Sequence, residues 1–212
     1  MIRWVCFDVG ETLFDETGLW SRWAAYLGVP PATFRAELSR IIAAGAHHRD
    51  VFEVFRPGFD MQAALAERVA RGDDPGFHVA DLFPDVRPCF AALRAAGLRI
   101  GIAGNTSVLT EHAVLACSLG ADFVASSSRW KVDKPSPAFF ARLAEACAAQ
   151  PASIAYVGDR LDNDVQPAVA AGMRGVFLRR GLWAEVQGRS AAAGEVRHAI
   201  DNLAGLAAIL DR

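Results

Sequence analysis

The sequence predicts an α/β protein with a mostly parallel sheet and a small all-helical segment inserted after the first strand. Short apolar runs alternate with helical patterns of about a dozen residues from about residue 84 to the end of the chain. Between residues 16 and 83, in contrast, the apolar residues repeat only at helical spacing. Strands joined through helices require right-handed crossovers, which place the strands side by side in one sheet.

The first predicted strand is the apolar run Trp4–Phe7, which ends at the carboxylate of Asp8. Gly10 and Thr12 follow closely, so the chain is expected to turn sharply just beyond the acid. Open α/β sheets hold their reactive groups at the carboxyl ends of buried strands, where Asp8 is placed. On this stretch alone, an acid that merely caps a strand before a glycine turn is an equally good interpretation.

The inserted segment is expected to contain four helices and no strand. The first carries apolar residues at i, i+3 and i+4 between Leu19 and Leu27, and Pro30 with Pro31 ends it. Thr33 is expected to cap the second helix, and two shorter helices follow near residues 51–55 and 61–69. We therefore divide the chain into a core of residues 1–15 and 84–212 and a helical domain of residues 16–83.

Four further strands are expected in the core, and each follows or precedes a helical pattern. They lie at residues 98–103, 123–125, 154–157 and 176–178, and the last of them is expected to be the final strand of the sheet. A Ser-rich loop is expected after the strand at 123–125, and a terminal helix over residues 203–210.

Polar groups stand at the ends of these strands and are expected to converge, because parallel strands share one carboxyl edge. They are Asp8, Asn105, Lys134, Asp159 and Asp164. Asp8 and Asp159 offer the hard oxygen ligands that Mg²⁺ prefers, and the carbonyl of Gly10 offers a third. The side-chain amide of Asn105 and nearby backbone N–H groups are expected to hold the oxygens of a phosphate.

The use of lysine points to the same edge of the sheet. The chain has 20 arginines but only two lysines, Lys131 and Lys134, and both lie in one short loop. A compact ammonium group is suited to neutralising a phosphate or orienting a carboxylate. The proline that follows Lys134 makes it the preferred candidate, and Lys131 is the substitute if the register is shifted.

Composition excludes several classes of partner. A net charge of −2 creates no field that would recruit nucleic acid or an anionic membrane surface. No apolar run approaches the roughly 20 residues needed to span a bilayer. The four cysteines form no CxxC pair, so neither a disulfide framework nor a zinc site is expected. The chain starts on strand-like sequence without a basic and apolar leader, and a cytoplasmic location is expected.

Four segments, FDVGETLF, GIAGNTS, DKPSPAFF and YVGDRLDNDVQPA, resemble the ordered motifs of the haloacid dehalogenase (HAD) superfamily over nearly the whole chain. The resemblance implies a Rossmann-like core and a C1-type helical cap at residues 16–83, which in some members serves as a homodimer surface. It also implies a Mg²⁺-dependent phosphohydrolase that acts on a small phosphorylated molecule.

The resemblance assigns a role to each motif residue. Asp8 would be the nucleophile that forms an aspartyl-phosphate, and Lys134 would fix Asp8 and the phosphoryl oxygens. Asp8, the Gly10 carbonyl and Asp159 would ligate Mg²⁺. Asp164 would be a further ligand or would orient a bound water.

Two positions depart from the family pattern. Gly10 replaces the second aspartate, which in HAD phosphatases protonates the leaving group, and glycine transfers no proton. Gly104 replaces the serine or threonine expected just before Asn105, and Thr106 or Ser107 would then supply a hydroxyl to the phosphate. Glu11 is adjacent to Gly10, but a side chain one step along a turn points elsewhere.

Three functions therefore stay open. The first is a Mg²⁺-dependent phosphohydrolase that is slow or prefers good leaving groups, such as acyl phosphates. The second is a 2-haloacid dehalogenase, against which the acids of GDRLDND argue, because those enzymes carry no metal-binding acids there. The third is a non-catalytic protein that keeps the fold and a ligand site.

Overall fold

A computed structural model describes residues 1–73 and 76–210. The chain forms two compact units: a core unit built from Met1–Asp15 and the chain from His78 onward, and an insert of residues Glu16–Phe77. The units divide at Phe77, ahead of the expected boundary at residue 83. The reason lies in backbone pairing: Phe83 N–H donates to the Leu13 carbonyl at 2.9 Å and Asp15 N–H donates to the Asp81 carbonyl at 2.8 Å.

All the regular secondary structure in the described residues of the insert is helical. Its helices are α1 (Thr17–Leu27), α2 (Pro31–Ala43), α3 (Asp50–Phe55) and α4 (Met61–Ala70). The interior is aromatic, with Trp23 and Phe34 packed against Phe52 at centroid distances of 5.1 and 5.9 Å. The expected cap at Thr33 is wrong, because α2 already begins at Pro31, whose missing N–H is no loss in the first turn of a helix.

The core unit is a six-stranded parallel sheet in the order β3-β2-β1-β4-β5-β6, which confirms the expected fold class. The strands are β1 (Trp4–Phe7), β2 (Arg99–Gly104), β3 (Phe123–Ser126), β4 (Ile154–Gly158), β5 (Arg174–Leu178) and β6 (Ala199–Ile200). The central strand, β1, aligns Phe7 with Ile102 of β2 on one side and with Val157 of β4 on the other. The carboxyl ends of all three strands therefore meet around Asp8.

Helices and helical turns connect the strands. They are α5 (Val86–Ala95), α6 (Val108–Ala116), α7 (Ser127–Trp130), α8 (Pro137–Cys147), a π-helical turn (Leu161–Val165), α9 (Gln166–Ala170), α10 (Gly181–Gln187), α11 (Ala191–Gly194) and α12 (Ala207–Leu210). No helix in the described parts of the chain is both long and apolar enough to cross a bilayer.

The sheet is buried on both faces, as purely parallel sheets are. Every residue of β1 and β4 is buried. The Tyr156 hydroxyl of β4 donates to the Ala103 carbonyl of β2 at 2.7 Å, so its single polar group is satisfied inside the core. All four cysteines lie in the described residues as buried free thiols, and Cys6 and Cys147 approach each other to 3.6 Å between sulfurs.

Three expectations about the core unit are wrong. Residues 176–178 are not the final strand, because the short β6 pairs with Phe177 and Leu178 at the edge of the sheet. The expected Ser-rich loop is instead a helical turn, α7, with Ser126 as its N-cap. The expected terminal helix is divided into a 3₁₀ turn, Leu203–Gly205, and the short α12.

Candidate active site

Asp8 lies at the centre of the carboxyl edge of the sheet. Its backbone N–H donates to the Val157 carbonyl at 2.9 Å, which extends the pairing of β1 with β4 up to the acid. The chain then folds back, and the N–H groups of Leu13 and Phe14 both donate to the Val9 carbonyl. The turn leaves the Asp8 side chain 13% exposed, whereas the other two carboxylates of the site are almost completely buried.

Lys134 reaches Asp8 from the loop before α8. Its Nζ donates to Asp8 Oδ1 at 2.6 Å and to Asp164 Oδ1 at 2.5 Å, and its side chain is 1% exposed. Lys131, the other lysine of this loop, is exposed. The structure thus brings Lys134 to the carboxylates and leaves Lys131 on the surface.

Asn105, just after β2, fixes the backbone of Lys134. Its Nδ2 donates to the Lys134 carbonyl at 2.8 Å, and its Oδ1 accepts from the Lys134 N–H at 2.7 Å. This reciprocal pair holds the lysine loop against the end of β2. The geometry therefore favours a positioning role for Asn105, where the sequence predicts a direct contact with phosphate.

The two residues expected to offer a hydroxyl group to the phosphate, Thr106 and Ser107, differ in their surroundings. Thr106 is half-buried, and its carbonyl accepts from the Ser128 N–H at 3.3 Å, which ties the loop after β2 to α7. Ser107 Oγ instead accepts from the Thr110 N–H at 3.1 Å and caps α6. The hydroxyl group of Ser107 is therefore already engaged as the N-cap of α6.

Asp159 and Asp164 follow β4 and complete a group of three acids. One carboxylate oxygen from each of Asp8, Asp159 and Asp164 lies within 4.8 Å of the other two. Three hard anionic oxygens at this spacing suit a divalent cation of the Mg²⁺ type, which binds through a few carboxylates and keeps several waters. The donor set therefore fits Mg²⁺.

Charge and burial oppose each other inside this group. Burial works to lower the pKa of Lys134, but the carboxylates of Asp164 and Asp8 outweigh it and raise that pKa well above its ordinary value. Burial raises the pKa of Asp164 to about 6; Lys134 works to lower it, and the negative charge of Asp8 adds to the rise. Lys134 is thus a permanent cation that neutralises part of the charge of the three acids.

Two glycines of the site, Gly104 and Gly158, are required by the side chains beside them, and the sequence did not predict this. A Cβ at position 104 would overlap with Asp8 Oδ1. A Cβ on Gly158 would lie 2.6 Å from the Cβ of Asp164. Glycine retained at these two positions among homologous sequences would reveal this requirement, and a single sequence cannot show it.

Glu11, the acid next to Gly10, packs against the start of α10. It is buried, its φ is +50°, and its side chain packs against Gly181 at the start of α10, where a Cβ would lie 2.6 Å from the Cβ of Glu11. A glycine at position 181, with φ of +76°, provides both the backbone conformation and the space.

Similar proteins were found by both sequence and structure. The relative named glyceraldehyde 3-phosphate phosphatase, from Methanopyrus kandleri, is 29% identical over 208 residues, covering 90% of this chain and 89% of the relative. The protein named phosphatase MT3486, from Mycobacterium tuberculosis, is 31% identical over 175 residues, covering 76% of this chain and 75% of that protein.

Among solved structures, the HAD-hydrolase YfnB from Bacillus subtilis, described as bound to magnesium, superposes with a TM-score of 0.71 at 18% identity. That superposition covers 100% of this chain and 99% of YfnB. Structures named as phosphatases and as 2-haloacid dehalogenases share the fold, so the fold alone does not choose between those reactions.

The family itself is shown by sequence. Residues 2–172 match the family described as haloacid dehalogenase-like hydrolase, and this stretch includes the Asp8, Lys134 and Asp159 positions described above. The chain belongs to the haloacid dehalogenase-like hydrolase family.

Proposed function

We propose that this hydrolase is a Mg²⁺-dependent phosphatase that acts on a small phosphorylated metabolite through a phosphoenzyme on Asp8. The observation that carries the proposal is the group of carboxylate oxygens from Asp8, Asp159 and Asp164, with Lys134 bonded to two of them. A halide displacement needs no such set of metal-binding acids. The names of the two relatives in sequence, both phosphatases, support the same choice.

In the first step, a carboxylate oxygen of Asp8 attacks the phosphorus of the substrate. The bond between phosphorus and the leaving oxygen breaks, and that oxygen keeps the electron pair. In the second step, the oxygen of a water molecule attacks the phosphorus of the aspartyl-phosphate. The bond between phosphorus and the Asp8 oxygen breaks, and its electron pair restores the carboxylate. Inorganic phosphate leaves with one proton of the water, and the other proton passes to solvent.

Lys134 acts in both steps as a fixed cation. Its contact with Asp8 Oδ1 orients the nucleophile, and its charge lies where phosphoryl oxygens approach. Asn105 holds the backbone of Lys134, so the ammonium group is positioned before substrate binds. Little reorganisation is then needed at the moment of reaction.

A divalent cation would be held by Asp8, Asp159 and the Gly10 carbonyl, with Asp164 as a further ligand or as an orienting group. When bound, it supplies positive charge that stabilises the charge on the transferring phosphoryl group. Asp164 already receives Lys134 Nζ and the Arg160 N–H on its two oxygens, which favours the orienting role.

Gly10 leaves the first step without a general acid, which is typically worth about 10²–10⁴-fold. Glu11 packs against Gly181, so the adjacent carboxylate is a poor substitute. The substrates turned over best are therefore those whose leaving group needs no proton, such as acyl and aryl phosphates.

The test is hydrolysis of p-nitrophenyl phosphate, acetyl phosphate and several sugar phosphates, each with Mg²⁺ and with EDTA. Asp8→Asn and Asp159→Asn are assayed beside the wild type. Turnover that requires Mg²⁺ and is lost in Asp8→Asn supports the proposal. Release of chloride from 2-chloropropionate without metal would establish the dehalogenase instead, and a chain silent in both assays would be the non-catalytic HAD-like protein.

A further inference from the structure

The loop that carries Asp159 and Asp164 is held from the side by α10. The loop consists of Asp159, Arg160 and a π-helical turn, Leu161–Val165, and it lies between β4 and α9. Such turns are rare and occur mostly as local distortions at functional sites. Side chains from within the loop and from α10 brace this turn in addition to its backbone hydrogen bonds.

Arg160 is the centre of the brace. Its Nε and Nη2 donate to the two oxygens of Asp162 at 3.1 and 2.7 Å, a bidentate pair. Its guanidinium carbon lies 3.6 Å from the centroid of the Trp183 ring of α10, and its side chain is 22% exposed. The flat face and one edge of the guanidinium are therefore both occupied, which fixes its orientation.

Gln187, at the end of α10, bonds the same loop twice. Its Oε1 accepts from the Leu161 N–H at 2.7 Å, and its Nε2 donates to Asp162 Oδ1 at 2.7 Å. The Gln187 side chain thus bonds both the backbone of Leu161 and the carboxylate of the next residue, Asp162. We name Arg160, Asp162, Trp183 and Gln187 the α10 clasp.

The clasp is connected to the acids through the backbone of Arg160. Its N–H donates to Asp164 Oδ2 at 3.0 Å, and its carbonyl accepts from the Asp164 N–H at 3.1 Å. Asp159 precedes Arg160 directly, so one residue sets the backbone direction of both acids. A shift of Arg160 would move Asp164 away from Lys134 and turn Asp159 relative to Asp8.

We propose that the α10 clasp is a positioning device that sets the affinity of the three acids for a divalent cation. The inference rests on the proposed function, because it takes Mg²⁺ as the ion held by Asp8 and Asp159. Arg160 acts through the loop rather than on substrate, since Asp162 and Trp183 already engage its guanidinium. Groups that orient metal ligands from outside typically change metal affinity by about 10–100-fold when they are removed.

The experiment measures Mg²⁺ binding to the full chain by calorimetry, with no substrate present. Arg160→Lys keeps the charge but loses the bidentate pair, and Gln187→Ala removes both contacts from a position outside the loop. Each variant is expected to bind Mg²⁺ about 10-fold more weakly. Activity at saturating Mg²⁺ should return to within about threefold of wild type, because no group that touches the phosphate has changed.

Arg142→Lys is the matched control, because Arg142 also bonds a nearby acid, Glu145 at 2.9 Å, but on the exposed surface of α8. It should bind Mg²⁺ as wild type does. Circular dichroism and thermal unfolding establish that each variant is folded, and Trp183→Phe, which keeps an aromatic face, replaces Arg160→Lys if that variant does not fold. Weaker binding in Gln187→Ala with unchanged secondary structure supports the clasp.

Wild-type Mg²⁺ affinity in folded Arg160→Lys and Gln187→Ala would overturn the proposal. That failure is separate from a failure of the proposed function. A wild type that binds Mg²⁺ through Asp159, yet hydrolyses no phosphate ester, refutes the phosphatase, while the variant affinities still decide the clasp. A wild type that does not bind Mg²⁺ overturns both.

Discussion

The carboxylate of Asp8 occupies the space that a side chain at position 104 would need. A Cβ at Gly104 would overlap with Asp8 Oδ1, the oxygen that receives Lys134 Nζ at 2.6 Å. Gly104 therefore does more than omit the hydroxyl group that the family pattern expects there. It permits the side-chain position in which Asp8 and Lys134 meet.

Gly104→Ala is expected to displace the Asp8 carboxylate from Lys134 and to lower kcat about 10- to 100-fold, because misplacement by about 1 Å is costly in catalysis. The measurement is steady-state hydrolysis of the substrate turned over best. Gly194→Ala is the control, since a Cβ there meets nothing within 4 Å. Unchanged kcat in Gly104→Ala would mean that Asp8 reacts from a different rotamer.

Replacing Lys134 should destabilise the fold as well as stop the reaction. Lys134→Met leaves the carboxylates of Asp8 and Asp164 facing each other without their buried cation, which typically costs about 3–5 kcal/mol. Urea unfolding at neutral pH measures the loss, and it should shrink in acid as Asp164, whose pKa burial raises to about 6, takes up a proton. Lys131→Met, at the exposed lysine of the same loop, should leave both stability and activity unchanged.

Supplying the missing acid should restore turnover of poor leaving groups. Gly10→Asp places a carboxyl group two residues after Asp8, and kcat/KM for sugar phosphates should rise by about 10²-fold. Turnover of acetyl phosphate should change little, because its leaving group needs no proton. Gly10→Asn, similar in shape but unable to transfer a proton, separates the two effects; an equal gain in Gly10→Asn would contradict the explanation.

The chain should lose stability in mild alkali through a thiol. Burial, reinforced by Asp85, raises the pKa of Cys89 to about 12 against the opposing charge of Arg180. In the unfolded chain a thiol ionises near 8.5, so between about pH 9 and 12 only the folded state keeps the proton. Stability is then fully present below about pH 8.5 and falls as pH rises, by up to about 1.4 kcal/mol per pH unit.

Urea unfolding at several pH values between 8 and 10.5 measures this slope. Cys89→Ala should reduce the loss of stability per pH unit, because one buried thiol no longer contributes to it. The dependence on pH that remains comes from other buried groups such as Cys6, whose pKa is also raised by burial. The same slope in wild type and Cys89→Ala would refute the assignment.

Much of the sheet was predictable, because a buried parallel strand is a short apolar run and a following polar residue marks its end. That signal located β1, β2 and β4 and, through them, the edge at which Asp8, Asn105 and Asp159 lie. β6 has only two residues and pairs at the border of the sheet, so it carries no periodicity that could be recognised. The same limit applies to the division of the terminal helix after Gly205.

The site was predictable as a set of residue types and unpredictable as a set of contacts. The clustering of two lysines pointed to the right loop, but sequence alone could not tell that Asn105 is bonded to the Lys134 backbone. The contacts of Arg160 depend on α10, a helix that follows β5 and was not expected. Long-range steric demands, such as that of Asp8 on Gly104, become visible only when the strands are aligned side by side.

The chain leaves the core unit after Asp15 and re-enters it at His78, and the Asp15 N–H is bonded to the Asp81 carbonyl. The residue at which the chain leaves the core unit is thus hydrogen-bonded to a residue three positions after the one at which the chain re-enters it. Such a junction is a natural splice point: an unrelated domain with adjacent termini can replace the insert without stretching the core. Asp8, Asp159, Asp164 and Lys134 all belong to the core unit, so such a chimera would keep these four groups in one unbroken domain.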